Sequence, residues 1–503
     1  KSAKDLTLDE AVMFAAIPKS PAYYSPYSND FDIEAFTGRQ HYILDQMVEQ
    51  GFISSEERDA AKQVDTVAKV VPRKPKYEGI LHPWFVLAAK EELEETRGKD
   101  AVQRSGWKVI TTLDKNLQAE AEKQVSDGLV QVRRQGGDVA AFVAEDVKTG
   151  QIVSLVGGSD FSNPDYGQNN YARLRLPPGS SFKPYDYTAL IENTTNSGAG
   201  SVLYDTQGPL EGYPCTSKAR PKSGGNCLWD YDFRYPGPMT IRYALGGSRN
   251  VPAVKAMLTA GIDETIQTAE KLGLKSGYKC YEDQTLTSES QCYASSAIGD
   301  GAYLRLDEHV HAFGSLSRNG KNIPQTYILK IEDASGKVVD EWESTEGEQA
   351  VRPESAYIIS DILSDPKASY FSSKAHDFNG HDYALKTGTT NDTKDGWLMG
   401  YSTQYAAGVW VGYHTREIEM TGFMENMTRP IWKGWMDAIH SNLQPEPREK
   451  PAGIQEQQAY IVRSHVGAGS VEPSPATDLF PSWYQNNRER STKKTVIDQV
   501  SNK

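Results

Sequence analysis

Pro177-Pro178-Gly179-Ser180-Ser181-Phe182-Lys183-Pro184 is the stretch from which the fold can be read. Two prolines and a glycine force a turn, so a helix can begin at Ser180. The run Phe182 to Asn193 that follows has helical spacing of apolar residues (Tyr185, Thr188, Ala189, Ile191). Ser180 and Lys183 would then share a helix face, and the Ser180 N–H would lie at the positive helix end, where an oxyanion is stabilised. Pro184 is tolerated because the first turn has no N–H partner to lose. A serine and a lysine so placed form a compact nucleophile–base pair.

The spacing alone proves little, since Ser105/Lys108, Ser276/Lys279, Ser364/Lys367 and Ser491/Lys494 repeat it. Two partners single out the first pair. Ser248-Arg249-Asn250 follows Tyr243-Ala244-Leu245-Gly246-Gly247 and precedes an apolar helical run, Val251 to Leu258. Lys386-Thr387-Gly388-Thr389-Thr390 follows the strand-like His381-Asp382-Tyr383-Ala384-Leu385. Each partner has a decoy in the wrong setting. Lys148-Thr149-Gly150 reads as a hairpin turn between Ala140–Val147 and Ile152–Gly157, and Ser317-Arg318-Asn319 reads as a helix end before Gly320.

Ser-x-x-Lys, Ser-x-Asn and Lys-Thr-Gly in this order are the signature of penicillin-recognising serine acyltransferases. The chain resembles the transpeptidase region of class A (bifunctional) penicillin-binding proteins from about residue 80 to about residue 440. The resemblance also rests on Trp107 to Asp114 with Leu117-Gln118, on Val153 to Gly158, and on Asp395-Gly396-Trp397 through Val409-Trp410-Val411-Gly412. It implies an α/β (α+β) fold of the penicillin-binding-protein and serine β-lactamase type, an antiparallel sheet flanked by helices with a helical subdomain. Strands expected at 139–146, 151–156, 396–401 and 406–413, with helices between them, agree with that fold. The segment Leu6 to Pro21 resembles the last part of the glycosyltransferase domain that precedes such transpeptidases. The acidic catalytic motifs of that domain are absent, so glycan polymerisation is not expected from this chain.

The resemblance also implies roles. Ser180 is the nucleophile and Lys183 its base, which must lose its proton part of the time; burial and the nearby cation Lys386 would both lower its pKa. Ser248 relays the proton to the leaving amine. Asn250 holds Lys183 and the substrate amide. Arg249 points away and has no catalytic role. Lys386 attracts the substrate carboxylate, with the Thr387 and Thr389 hydroxyls, and Gly388 lets the strand approach the substrate. The oxyanion hole is formed by the N–H groups of Ser180 and Thr389. The implied reaction is D,D-transpeptidation of cell-wall stem peptides ending in D-Ala-D-Ala, with β-lactams as acylating inhibitors and no cofactor or metal. The alternatives are a D,D-carboxypeptidase or β-lactamase with water as acceptor, and a silent β-lactam sensor or cell-wall scaffold. No Glu-x-x-Leu-Asn deacylation motif is present in the sequence, so a long-lived penicilloyl adduct is expected.

Composition narrows the rest. The 503 residues, 38% hydrophobic and 24% charged, suit a soluble protein of two or three domains. A net charge of −13 argues against a nucleic-acid partner, whose phosphates attract basic surfaces. No apolar run is long enough to span a bilayer and no signal peptide opens the chain. Lys1-Ser2-Ala3 runs directly into a helical segment, which suggests a cut from a longer protein whose missing part carries a membrane anchor. The expected location is the outer face of a bacterial cytoplasmic membrane, alongside other cell-wall synthesis proteins. Four cysteines fall as Cys215/Cys227 and Cys280/Cys292 with equal spacing; three pairings are allowed, and these local ones are the first expectation. Expected boundaries are a helical remnant of the glycosyltransferase domain at 1–71, a linker region at 72–137, the transpeptidase domain at 138–445 and, at 446–503, a linker with a loosely ordered or small appended tail. The aromatic run Trp229-Asp230-Tyr231-Asp232-Phe233-Arg234-Tyr235 reads equally well as a groove lining or as a structural surface loop.

Overall fold

The computed structural model describes residues 2–71, 77–274, 293–371, 373–390, 392–461 and 474–485. These divide into two compact units, 1–80 and 81–503.

The first unit is helical. Helix α1 (Leu8–Ala16) opens with a capping box of Thr7 and Glu10, and α2 (Ile33–Glu49) is capped by the Asp32 carboxylate. The third helix, α3 (Ser55–Lys62), opens with a reciprocal Ser54–Glu57 box. It ends at Lys62, and a 3-10 turn at Val67–Lys69 follows. Val12, Leu44 and Ala61 form its small core.

In the second unit, α4 (Pro83–Arg97) and α5 (Lys115–Arg134) precede the hairpin of β1 (Val139–Asp146) and β2 (Ile152–Val156). Helices follow: α6 (Lys183–Asn193), α7 (Ile241–Gly246), α8 (Asn250–Ala260), α9 (Leu306–Ser317) and α10 (Pro353–Ser364). The chain then returns through β3 (Ala384–Thr389), β4 (Asp395–Tyr401) and β5 (Tyr405–Gly412) to α11 (Glu425–His440). The five strands form one antiparallel sheet in the order β3-β4-β5-β1-β2, with β3 at an open edge. Because β1, β4 and β5 are buried on both faces, they read as nearly continuous apolar runs rather than alternating ones.

Alternate side chains serve two cores. Ala141, Val143, Trp397, Met399 and Trp410 join the core with α6, α8 and α9. Phe142, Leu398, Val409 and Val411 face α5 and α11 through Leu129, Trp432 and Trp435. A small sheet formed by Lys108–Thr111, Ile328–Glu332 and Val338–Glu341 lies beside this body.

Of the two readings of the C-terminal region, the small appended one describes its strands. Two further strands, β6 (Gln455–Ile461) and β7 (Ser474–Phe480), pair antiparallel, and Ala459 and Phe480 are buried. A disulfide joins Cys215 to Cys227; Cys280 and Cys292 lie outside the described residues. Among the described residues no helix is long and apolar enough to cross a membrane.

Candidate active site

Residues Gly179–Phe182 form a 3-10 turn, and the α-helix proper starts at Lys183. The helix therefore begins three residues later than its sequence suggests. The serine and lysine still share a face, because positions three apart eclipse in 3-10 geometry. Gly179 has φ 54°, a left-handed conformation that glycine adopts without steric cost. Trp397 Nε1 donates to the Pro177 carbonyl at 2.8 Å. Ser181 Oγ donates to the Pro178 carbonyl at 2.8 Å. It also lies 2.9 Å from His309 Nε2, whose Nδ1 is 2.8 Å from the Tyr185 hydroxyl. Burial lowers His309 to about 3, so the imidazole that props this turn is neutral.

The turn presses on β3. A methyl group at Gly388 would lie 2.1 Å from the Pro178 carbonyl oxygen and 3.0 Å from Ser181 Oγ. The missing side chain of Gly388 therefore makes room for the turn that carries Ser180. Lys386 and Gly388 project to the same side of β3, toward α6 and the Ser248 loop. Thr387 and Thr389 project to the other side. Thr389 is exposed, and the Thr387 hydroxyl is hydrogen-bonded to that of Tyr370.

The three motifs meet at two lysines. Lys183 is fully buried; its Nζ donates to the Ser248 carbonyl and to Asn250 Oδ1, both at 2.6 Å, and lies 3.4 Å from Ser248 Oγ. Lys386, also buried, donates to Ser248 Oγ and to its neighbour's carbonyl, Thr387 O, both at 2.8 Å. Ser248 is thus the point where the two amines converge, and it holds φ 54°, unusual for a residue with a side chain. Burial lowers Lys183 to about 7, opposed by Asp230 and Asp186 and assisted by Arg249. Burial also drives Lys386 well below the ordinary lysine range, and Lys183 adds to that. Arg249 thus joins Lys386 as a cation near Lys183. Ser180 is half-buried, and among the described residues no hydrogen bond joins its hydroxyl to Lys183.

Arg249 turns away from the two lysines, as its position between Ser248 and Asn250 requires, but it is not idle. It is buried against Asp205 (2.6 Å) and Asp232 (3.0 Å), and also donates to the Arg234 carbonyl. Burial, with Asp230 alongside, pushes the Asp205 carboxyl up to about 8. The Asn250 N–H donates to Asp230, and Asn250 Nδ2 donates to the Trp229 carbonyl at 2.6 Å. Asn250 thus holds Lys183 through its oxygen and gives one of its two amide N–H groups to the aromatic run. The run at 229–235 is the wall that holds the Ser248 loop. Asp205, Asp230 and His309 were not legible as parts of the site, because no local pattern marks a residue whose partner lies far along the chain. A cavity of about 480 Å³, lined by Lys148, Arg318, Thr403 and Arg448 among others, opens at the far end of the sheet and contains none of these groups.

The family model of the penicillin binding protein transpeptidase domain matches residues 140–421, a span that contains all three motifs. The chain belongs to the penicillin-binding-protein transpeptidase family. Among curated penicillin-binding proteins, it is 29% identical to penicillin-binding protein 2D of Bacillus subtilis over 90% of this chain and 62% of the relative. It is 27% identical to penicillin-binding protein 1A of Clostridium botulinum over 90% of this chain and 55% of the relative. The chain thus spans little more than half the length of these relatives. Penicillin-binding protein 1A from Haemophilus influenzae shares the fold with a TM-score of 0.63 at 20% identity, covering 96% of this chain and 87% of that one. The PonA1 protein from Mycobacterium tuberculosis in complex with penicillin V shares it with a TM-score of 0.60 at 24% identity, over 73% of this chain and 95% of that one.

Proposed function

We propose that this chain is a peptidoglycan D,D-transpeptidase that works through an acyl-enzyme on Ser180. One observation supports the reading above the others. The Lys183 amine, buried one tight turn from Ser180, has two close acceptors, the Ser248 carbonyl and Asn250 Oδ1. A neutral amine has two N–H groups to match them, which leaves its lone pair to take the Ser180 proton. Burial lowers its pKa to about 7, which makes that neutral form available near neutral pH.

In the reaction, Ser180 Oγ attacks the carbonyl carbon of the penultimate D-Ala while its proton passes to Lys183. The oxyanion is met by the N–H groups of Ser180 and Thr389, whose backbones adjoin where Gly179 packs on Thr389. The C–N bond then breaks. The departing D-Ala amine receives the proton from Lys183 through the Ser248 hydroxyl, which Lys386 holds in place. An amine from a neighbouring stem attacks the ester and gives a proton to Lys183. Ser180 leaves with that proton, and a new peptide bond has formed. The Thr387 and Thr389 hydroxyls receive the donor carboxylate. The open edge of β3 lets the donor, or a β-lactam imitating it, lie alongside as an added strand. The site faces the outside of the cytoplasmic membrane, where stem peptides are cross-linked.

A fluorescent penicillin tests the reading. The unaltered chain is expected to carry one stable label at Ser180, and Ser180→Ala none. Label retained by that variant would move the nucleophile elsewhere. Product analysis with and without an amine acceptor separates cross-linking from hydrolysis.

A further inference from the structure

The C-terminal segment after β6 reaches back to the far ends of the two elements that carry Lys183 and Ser248. Helix α7 runs into the Ser248 loop: Ser248 N–H donates to the Leu245 carbonyl and Arg249 N–H to the Ala244 carbonyl. At the start of α7, Arg242 is partly buried among three carboxylates. Two come from α10 and its end, Asp361 at 2.7 Å and Asp365 at 3.1 Å. The third is Asp478 of β7, which accepts from Arg242 Nε through both oxygens at 3.1 Å and from the second terminal nitrogen at 2.6 Å. Asp478 is itself buried. The backbone is tied at the same place, with Ala199 N–H donating to the Leu479 carbonyl and Arg242 N–H to the Ala199 carbonyl. The Phe480 ring fills the space beside Gly198 and Gly200.

A few residues on, Trp483 holds the other element. A helix end leaves carbonyls without partners. Trp483 Nε1 donates to Ile191 O at 3.2 Å and to Thr194 O at 3.1 Å, at the last turn of α6, whose first residue is Lys183. Its ring lies under the Arg352 guanidinium, which pairs with Glu192 of α6 at 3.0 Å. Gln485 N–H donates to Thr195 O. One short stretch therefore grips both α6 and α7, and each of these presents a reacting or relaying group at its opposite end.

We propose that residues 477–485 form a strap, with Asp478 and Trp483 as positioning residues that keep the Lys183 amine and the Ser248 loop in register. The strap touches no substrate and acts through α6 and α7. The inference rests on the reading of Ser180 and Lys183 as the reacting groups.

Two mild substitutions in the full chain test it: Asp478→Asn, which removes one charge from Arg242, and Trp483→Phe, which removes the N–H donor to α6 together with part of the ring beneath Arg352. Misplacing a catalytic group by a fraction of an ångström slows reaction strongly, so the acylation rate constant at saturating penicillin is expected to fall roughly tenfold in each. The penicillin concentration at half-saturation should stay within about twofold, since the binding groups on β3 are not displaced. Asp478→Glu, which keeps the charge, is expected to restore most of the rate. All rates are measured on the fraction that remains folded, well below the melting transition. Variants that melt earlier but acylate at the unaltered rate while folded would overturn the proposal, as would a loss confined to half-saturation. Either result would leave the assignment of Ser180 intact, because the label would still be found there.

Discussion

Replacing Gly388 with alanine separates two reasons for a glycine in the Lys-Thr-Gly motif. If the glycine serves to admit substrate, a methyl group weakens ligand binding and leaves the free protein unchanged. If it makes room for the nucleophile turn, the methyl group damages the free protein. The added carbon would stand 2.1 Å from the Pro178 carbonyl oxygen, and contacts under 3.0 Å are essentially never seen for such atoms, so the turn or strand must yield by at least about 0.9 Å. The turn has little freedom to yield, being tied by Trp397 at Pro177 and by Ser181 at Pro178. Overpacking of this kind costs about 1–3 kcal/mol of stability. A shift near 1 Å at the nucleophile is expected to slow acylation ~100-fold. Stopped-flow acylation with a fluorescent penicillin, beside thermal unfolding of the free chain, measures both. Unaltered melting with a loss seen only in half-saturation would refute this reasoning.

The remaining predictions concern charge and helix stability. Acylation by the free enzyme should rise with pH through about 7 and level off above, since the attacking serine needs neutral Lys183; a rate independent of pH between 5 and 9 would argue against that base. The same lowering gives a sign for stability: between about 7 and 10.5 the unfolded lysine keeps a proton that the buried one has released, so this group makes folding more favourable as pH rises through that window. Arg249→Leu leaves the buried Asp205 carboxyl and that of Asp232 without their donor and is expected to destabilise the second unit by about 1–3 kcal/mol, read as a lowered denaturant midpoint with acylation lost in parallel. Gly38 lies within α2 with open space where a side chain would go. Gly38→Ala should stabilise the first unit by about 0.5–1 kcal/mol with no change in acylation, checked by denaturant unfolding.

Much of the fold was legible because its signals are local. The hairpins at 139–156 and 395–412 and the helices at 83–97 and 115–134 follow from runs of apolar residues bounded by turn-forming or capping ones. The helix Lys99–Ser105 was missed because it follows Gly98 directly and buries no residue. The sequence left the tail open between loose order and a small appended unit, because Pro445, Pro447 and Pro451 mark only a linker. What orders the chain beyond them is Asp478 meeting Arg242 and Trp483 meeting α6, contacts that no sequence window contains.

The amino-acid sequence by itself singled out the groups proposed to react, Ser180, Lys183, Ser248, Asn250 and Lys386, and their order, because turn chemistry and helix periodicity act between near neighbours along the chain. Only the tertiary structure decided that Arg249 stands near Lys183 as well, that Asn250 also holds the Trp229 carbonyl, and what the bare face of Gly388 accommodates. Burial and Coulomb interactions depend on distance through space, and the folded chain sets those distances between residues that lie far apart along it.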